Sequence, residues 1–214
     1  MPTPESANPV AITAVVLAGG RGSRMGGVDK GLQLFRGKTL VAHAMQRLAA
    51  QTAYAPLTVL INANRNSEQY SDMGANVVAD SLQDFQGPLA GFLAALDVCS
   101  TPFLLTVPCD SPLFPLDLAQ RMVDALLQAD AQIAVALAPE QDAKGAMVLR
   151  SQPVFCLMRT GVRESLQQFL QSGGRKIDAW TSAQGQVLVP FNAPGDDPRA
   201  FANANTLEEL QRLE

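Results

Sequence analysis

Short apolar runs alternate along this chain with segments whose apolar residues recur every three or four positions. Ile12–Leu17, Leu57–Ile61, Asn76–Ala79, Phe103–Val107 and Ile133–Ala138 have the length of strands. Their near-continuous apolarity predicts burial on both faces, as inside a parallel sheet. Val187–Pro190 reads as a later strand. Between the first two runs, Leu40, Val41, Ala44, Met45 and Leu48 share one face of a predicted helix. Gly37-Lys38 reads as a tight turn before it, Thr39 as its N-cap, and Pro56 closes the segment. Further helices are predicted from Pro115 or Leu116 to Gln128, from Val162 to Leu170 ahead of Gly173-Gly174, and from Thr206 through Leu213. Thr206-Leu-Glu-Glu209 carries the capping-box pattern.

This alternation predicts an α/β fold with a doubly wound, mostly parallel sheet. No linker, low-complexity tract or internal repeat interrupts it, so a single domain is expected over residues 12–214. Residues 1–11, rich in proline and without a basic or apolar stretch, read as a disordered leader and not a signal peptide. At 214 residues the chain can bury one sizeable core. Its net charge of −4 argues against broad binding to nucleic acid or anionic membrane, so any positive potential must be local. No stretch is long and apolar enough to span a bilayer. The three cysteines, Cys99, Cys109 and Cys156, lack C-x-x-C spacing and suggest neither a disulfide framework nor a zinc site, which fits a reducing cytoplasm.

One stretch turns this general picture into a candidate site. Val15, Val16 and Leu17 run directly into Ala-Gly-Gly-Arg-Gly-Ser-Arg-Met-Gly-Gly-Val-Asp-Lys30. A strand that ends in a glycine-rich turn lets backbone N–H groups approach an anion without Cβ atoms in the way. Arg21, Arg24 and Lys30 can balance the charge of a polyphosphate. The spacing is not that of the dinucleotide fingerprint, because Met25 stands where the third glycine belongs. Nor does Gly31 to Gly37-Lys38-Thr39 make a Walker A loop, being one residue too long.

The segment resembles the nucleotidyltransferase signature L-A-G-G-x(6)-G-x-D-K. Met25-Gly-Gly-Val-Asp-Lys-Gly31 is more closely similar to the molybdenum cofactor guanylyltransferases of the MobA type. Asn62-Ala-Asn-Arg65, Asp80-Ser-Leu, Gly87-Pro-Leu-Ala-Gly91, Pro108-Cys-Asp110 and Asn203-Ala-Asn-Thr206 match the same family in order, so the resemblance spans nearly the whole chain. It implies a Rossmann-like sheet of the nucleotide-diphospho-sugar transferase kind. It also implies transfer of GMP from GTP to the phosphate of molybdopterin, with diphosphate released. Within the family the alternative is cytidylyl transfer to the same cofactor; outside it, a GTP- or pterin-binding carrier without turnover.

The resemblance assigns GTP binding to Leu17, Ala18, Gly19, Gly20, Arg21, Gly22, Lys30, Asn62, Asp80 and Asp110, and catalysis to Lys30, Asp110 and Arg24. Asp110, after a buried strand, would hold Mg²⁺, a hard cation that prefers oxygen ligands; the alternative is a helix cap ahead of Ser111-Pro112. Lys30 could instead form a solvated pair with Asp29, and Arg21 and Arg24 could simply be exposed. Asn62 could make an Asx turn and Asp80 a helix cap. Gly87-Pro-Leu-Ala-Gly91 is expected to bring backbone near the ligand and start a helix. His43 falls inside a helix, where a surface or core role is expected.

The family's His-Pro-Thr-like turn has no counterpart in Gln141-Asp-Ala-Lys-Gly-Ala-Met147. On that acceptor side Lys144, Arg175, Lys176, Asn203 and Asn205 are the candidate contacts, each with a structural alternative in a turn or cap. The expected partners are GTP and molybdopterin as substrates and proteins that insert the finished cofactor, with no nucleic acid and no membrane, on a monomeric, cytoplasmic chain.

Overall fold

The structure is a computed structural model that describes residues 10–18, 29–81, 87–204 and 206–213. The first half supplies β1 (Ile12–Leu17), β2 (Leu34–Phe35), β3 (Lys38–Thr39), α1 (Leu40–Ala49), β4 (Thr58–Asn62), α2 (Ser67–Ser71), β5 (Asn76–Val78) and α3 (Pro88–Val98). The second supplies β6 (Phe103–Pro108), α4 (Leu118–Gln128), β7 (Ile133–Gln141), β8 (Met147–Arg159), α5 (Arg163–Gln171), α6 (Ile177–Ala183), β9 (Gln186–Pro190) and α7 (Leu207–Arg212). Seven strands form one sheet in the order β5-β4-β1-β6-β8-β7-β9. Only β8 runs against its neighbours; every other pairing is parallel. The expected α/β class and mostly parallel sheet are therefore observed.

Strand pleating divides the core in two. Ile12, Ala14 and Val16 face α1, α2 and α4, where Val41, Leu48, Tyr70, Met122 and Leu126 are buried. Val15 and Leu17 face α3, α5 and α6, with Phe92, Leu166 and Trp180. α3 is buried along nearly its whole length, so it lacks the polar face that would have revealed it by periodicity. Pro88 stands at its first turn, where a missing N–H costs nothing. Gly87, at φ 139°, takes a backbone conformation that side chains disfavour.

Several expected boundaries shift. The tight turn is Arg36-Gly37, both at positive φ as a two-residue hairpin turn requires, and Lys38 belongs to β3. Thr39 caps α1 as expected, accepting from the Ala42 N–H at 3.3 Å. Thr206 likewise accepts from the Glu209 N–H at 3.1 Å.

β8 and α6 were not anticipated. Pro153 argues against a central strand because it cannot donate to the ladder. It sits instead in a bulge, where pairing steps from Val135↔Cys156 to Ala136↔Gln152. The buried Thr106 hydroxyl of β6 fills that irregularity: it donates to the Val154 carbonyl at 2.6 Å and accepts from the Cys156 N–H at 3.3 Å. Most of the expected leader lies outside the described residues. Among the described residues no helix is long and apolar enough to cross a membrane.

Candidate active site

β4, β1 and β6 lie side by side and parallel, so their C-terminal ends share one edge. In register, Leu17 pairs with Asn62 on one side and with Pro108 on the other. Two backbone bonds continue past the strands: the Ala18 N–H donates to the Asn62 carbonyl at 2.9 Å, and the Cys109 N–H to the Leu17 carbonyl at 3.1 Å. Leu17, Ala18, Asn62 and Asp110 are thus brought to one place, where ligands of open α/β sheets collect.

At its centre Lys30 Nζ stands 3.2 Å from Asp110 Oδ2, each side chain 19% exposed. Partial burial keeps both groups reachable while limiting solvent screening. A cation suited to phosphate oxygens and a carboxylate suited to a divalent cation therefore sit together. The neighbouring Cys109 thiol is raised by burial and then by the Asp110 charge, which keeps it neutral.

On the far side of β1, Asn62 is buried and donates through Nδ2 to the Val78 carbonyl at 3.2 Å and to Asp80 Oδ1 at 2.9 Å. Asn64 donates to Asp80 Oδ2 at 2.7 Å and accepts from the Asp80 N–H at 2.8 Å. Asn62 thus orients Asp80, whose half-buried carboxylate faces the same edge. A Cβ on Gly91 would fall 2.3 Å from Asn62 Oδ1, so the glycine permits α3 to approach this pair.

Asn64 and a second group around Asp29 escaped the sequence reading. Asp29, 8% exposed, accepts from the Gly31 N–H, Asn66 Nδ2 and the Tyr70 hydroxyl at 3.1, 2.9 and 2.5 Å. Burial, and then the bond to Asp29, raise the Tyr70 hydroxyl well above the usual phenol range, so it remains a donor. The i, i+4 spacing of Asn66 and Tyr70 was visible in the sequence; their common target was not.

Of the described acceptor-side candidates, Asn203 is tied to the segment that carries Asp110, and the others lie on separate elements. β7 ends at the shared edge and antiparallel β8 begins there, so the hairpin turn bearing exposed Lys144 opens beside the site. Asp142 shapes that turn by accepting from the Lys144 and Ala146 N–H groups at 2.8 and 2.9 Å. The Ser151 hydroxyl donates to Asp178 at 2.9 Å and brings the start of α6 alongside β8. Exposed Lys176 directly precedes α6, and Arg175 donates to the Leu170 carbonyl near the end of α5. Asn203 accepts from the Ser111 hydroxyl at 2.5 Å, and the Ala204 N–H donates to the Asp110 carbonyl at 2.8 Å. His43 stays outside the site: its Nε2 lies 2.6 Å from the Phe35 carbonyl on the α1 side. The candidates Gly19, Gly20, Arg21, Gly22, Arg24 and Asn205 lie outside the described residues.

A model of the MobA-like NTP transferase domain matches residues 14–190. A molybdenum cofactor guanylyltransferase of Acidovorax sp. (strain JS42) is 57% identical over 95% of both chains. One of Ralstonia nicotianae is 53% identical over 94% of this chain and 95% of its own. Among solved structures, the molybdopterin-guanine dinucleotide biosynthesis protein A of Archaeoglobus fulgidus superimposes with a TM-score of 0.71 at 20% identity, covering 94% of this chain and 96% of that one. The 4-diphosphocytidyl-2C-methyl-D-erythritol synthase of Anaerococcus prevotii gives 0.69 at 10% identity, covering 94% and 93%. Those two structural likenesses speak for the fold; the match over residues 14–190 and the 57% identity decide the family. On that match and that identity, this chain belongs to the MobA-like NTP transferases.

Proposed function

We propose that the protein transfers GMP from GTP to the phosphate of molybdopterin. The observation that carries this reading is the Lys30–Asp110 pair at 3.2 Å on the edge shared by β1 and β6, with Asp80 held by Asn62 and Asn64 one strand away. The names of the relatives support the same substrates. In the reaction, an oxygen of the acceptor phosphate forms a bond to the α-phosphorus of GTP. The bond from that phosphorus to the bridging oxygen breaks, and its electron pair leaves with diphosphate. Positioning and charge neutralisation suffice for such a displacement, and no protein nucleophile is needed.

Lys30 Nζ donates to a phosphate oxygen and stabilises the charge that develops there. Amides of Gly19, Gly20 and Gly22, with Arg21 and Arg24, are assigned to the rest of the triphosphate. Asp80 accepts from the N1–H and exocyclic amine of guanine, a donor pair that adenine does not present. Asp110 would hold Mg²⁺: among the described residues no group of three metal-ligating side chains occurs, and this ion commonly takes one or two carboxylates and shares phosphate oxygens. When bound, Mg²⁺ supplies charge neutralisation on the triphosphate. Lys144, Lys176, Arg175, Asn203 and Asn205 are assigned to the acceptor.

Nucleotide competition tests the assignment. Purified protein, Mg²⁺ and molybdopterin are supplied with GTP, CTP or ATP, and the dinucleotide product is identified. The guanine dinucleotide with GTP is the expected product. Turnover of CTP with GTP inert would replace it with cytidylyl transfer, and binding without diphosphate release would make the protein a carrier.

A further inference from the structure

We infer that Asp29, Asn66 and Tyr70 form a bracket that positions Lys30 for phosphate transfer and joins it to the nucleoside half of the site. The inference rests on the reading of Lys30 as a phosphate ligand. It adds residues that contact neither substrate in that reading.

Three features converge on the Asp29 carboxylate. Tyr70, fully buried in α2, donates to Oδ1 at 2.5 Å across 41 residues of sequence. Asn66 donates to Oδ2 at 2.9 Å. The Gly31 N–H donates to Oδ1 at 3.1 Å and thereby fixes the short 3-10 turn that Lys30 opens. With donors on both oxygens, the carboxylate cannot rotate without giving one up.

Asn66 marks the bracket as more than incidental packing. It occupies the N-cap position of α2, where an asparagine side chain ordinarily accepts from the helix. Here it makes no such bond and sits at φ 54°, in the left-handed region. Its amide donates to Asp29 instead, so α2 forgoes that local cap. Gly31 makes a related accommodation. A Cβ there would lie 2.4 Å from the Tyr70 oxygen and 2.8 Å from Val41 Cγ2, so a side chain at this position would push the tyrosine off the carboxylate.

The position of the bracket gives it a function. Asn66 and Tyr70 follow β4 by four and eight residues, just beyond Asn62 and Asn64, which orient Asp80. Asp29 precedes Lys30, whose Nζ reaches Asp110 at 3.2 Å. Nucleoside and phosphate elements are therefore cross-linked through one buried carboxylate.

Tyr70→Phe removes the hydroxyl and leaves the ring in the core. At a temperature well below its melting midpoint, kcat should fall about tenfold while GTP affinity, read by calorimetry, changes less than about threefold. Lys30→Ala alone should lower activity strongly, and adding Tyr70→Phe to it should cause no further loss in single-turnover measurements. A merely structural tyrosine would lower the melting midpoint and leave kcat of the folded protein intact, which would overturn the bracket. Independent, multiplicative losses in the double variant would overturn it too, since the effect would not pass through Lys30. Full activity of Lys30→Ala would instead remove the phosphate role of the lysine, and the bracket with it. If Tyr70→Phe does not fold, Asn66→Gly tolerates the positive φ, removes the amide, and must show the same split between kcat and affinity.

Discussion

Eighty residues of sequence separate Lys30 from Asp110, and the fold closes them to 3.2 Å. An exposed pair at that distance would contribute little. At 19% exposure on each side both groups remain reachable, and the function proposed above takes them as ligands for phosphate and cation. Asp110→Ala is expected to lower Mg²⁺-dependent diphosphate release at least about a hundredfold, because the lost carboxylate acts on charge that develops in the transition state. The variant should still fold, since the Asp110 backbone carbonyl keeps its bond from the Ala204 N–H. Wild-type release rates in a folded variant would contradict the assignment. Part of this centre was legible beforehand: Asp110 follows β6 closely, where a buried apolar strand stops. Tyr70 was not, because a buried tyrosine and a solvent-facing one look alike in sequence. Only the tertiary contact with Asp29 reveals its role.

At the scale of elements, the sheet is continuous because β8 reverses direction and still pairs on both sides. Beside the bulge at Pro153 the Thr106 hydroxyl serves two backbone groups of β8, the Val154 carbonyl and the Cys156 N–H. Thr106→Val keeps the shape and leaves the Val154 carbonyl and Cys156 N–H without that partner. The expected cost is about 2–4 kcal/mol, read as a fall of roughly 5–10 °C in the melting midpoint. An unchanged midpoint would show that the bulge is satisfied in some other way. β8 illustrates the limit of pattern reading, since its proline and the polar Arg150-Ser-Gln152 hide a strand that the bulge rescues. α6 is only seven residues long, beginning three positions after Gly174, and is too short to show a helical period. β1, β6 and α1 were legible because each carries an uninterrupted strand or helix pattern over its whole length.

Over the whole molecule, the parallel strands set their C-terminal ends side by side, and the described candidates Leu17, Ala18, Asn62 and Asp110 lie along that edge. The nucleotide side is tied together by buried and partly buried bonds: Asn62 to Asp80, Tyr70 and Asn66 to Asp29, and Lys30 to Asp110. The acceptor side is more open, with Lys144, Arg175 and Lys176 exposed on a hairpin turn and at helix ends. In the reaction proposed above, GMP passes from a nucleotide on the first side to an acceptor on the second. The direct measurement is the fate of label in GTP incubated with protein, Mg²⁺ and molybdopterin. Label at the α-phosphorus should appear in the guanine dinucleotide cofactor, and label at the γ-phosphorus wholly in diphosphate. Label from the γ-phosphorus in the pterin product, or α-label remaining with free nucleotide while diphosphate accumulates, would contradict guanylyl transfer.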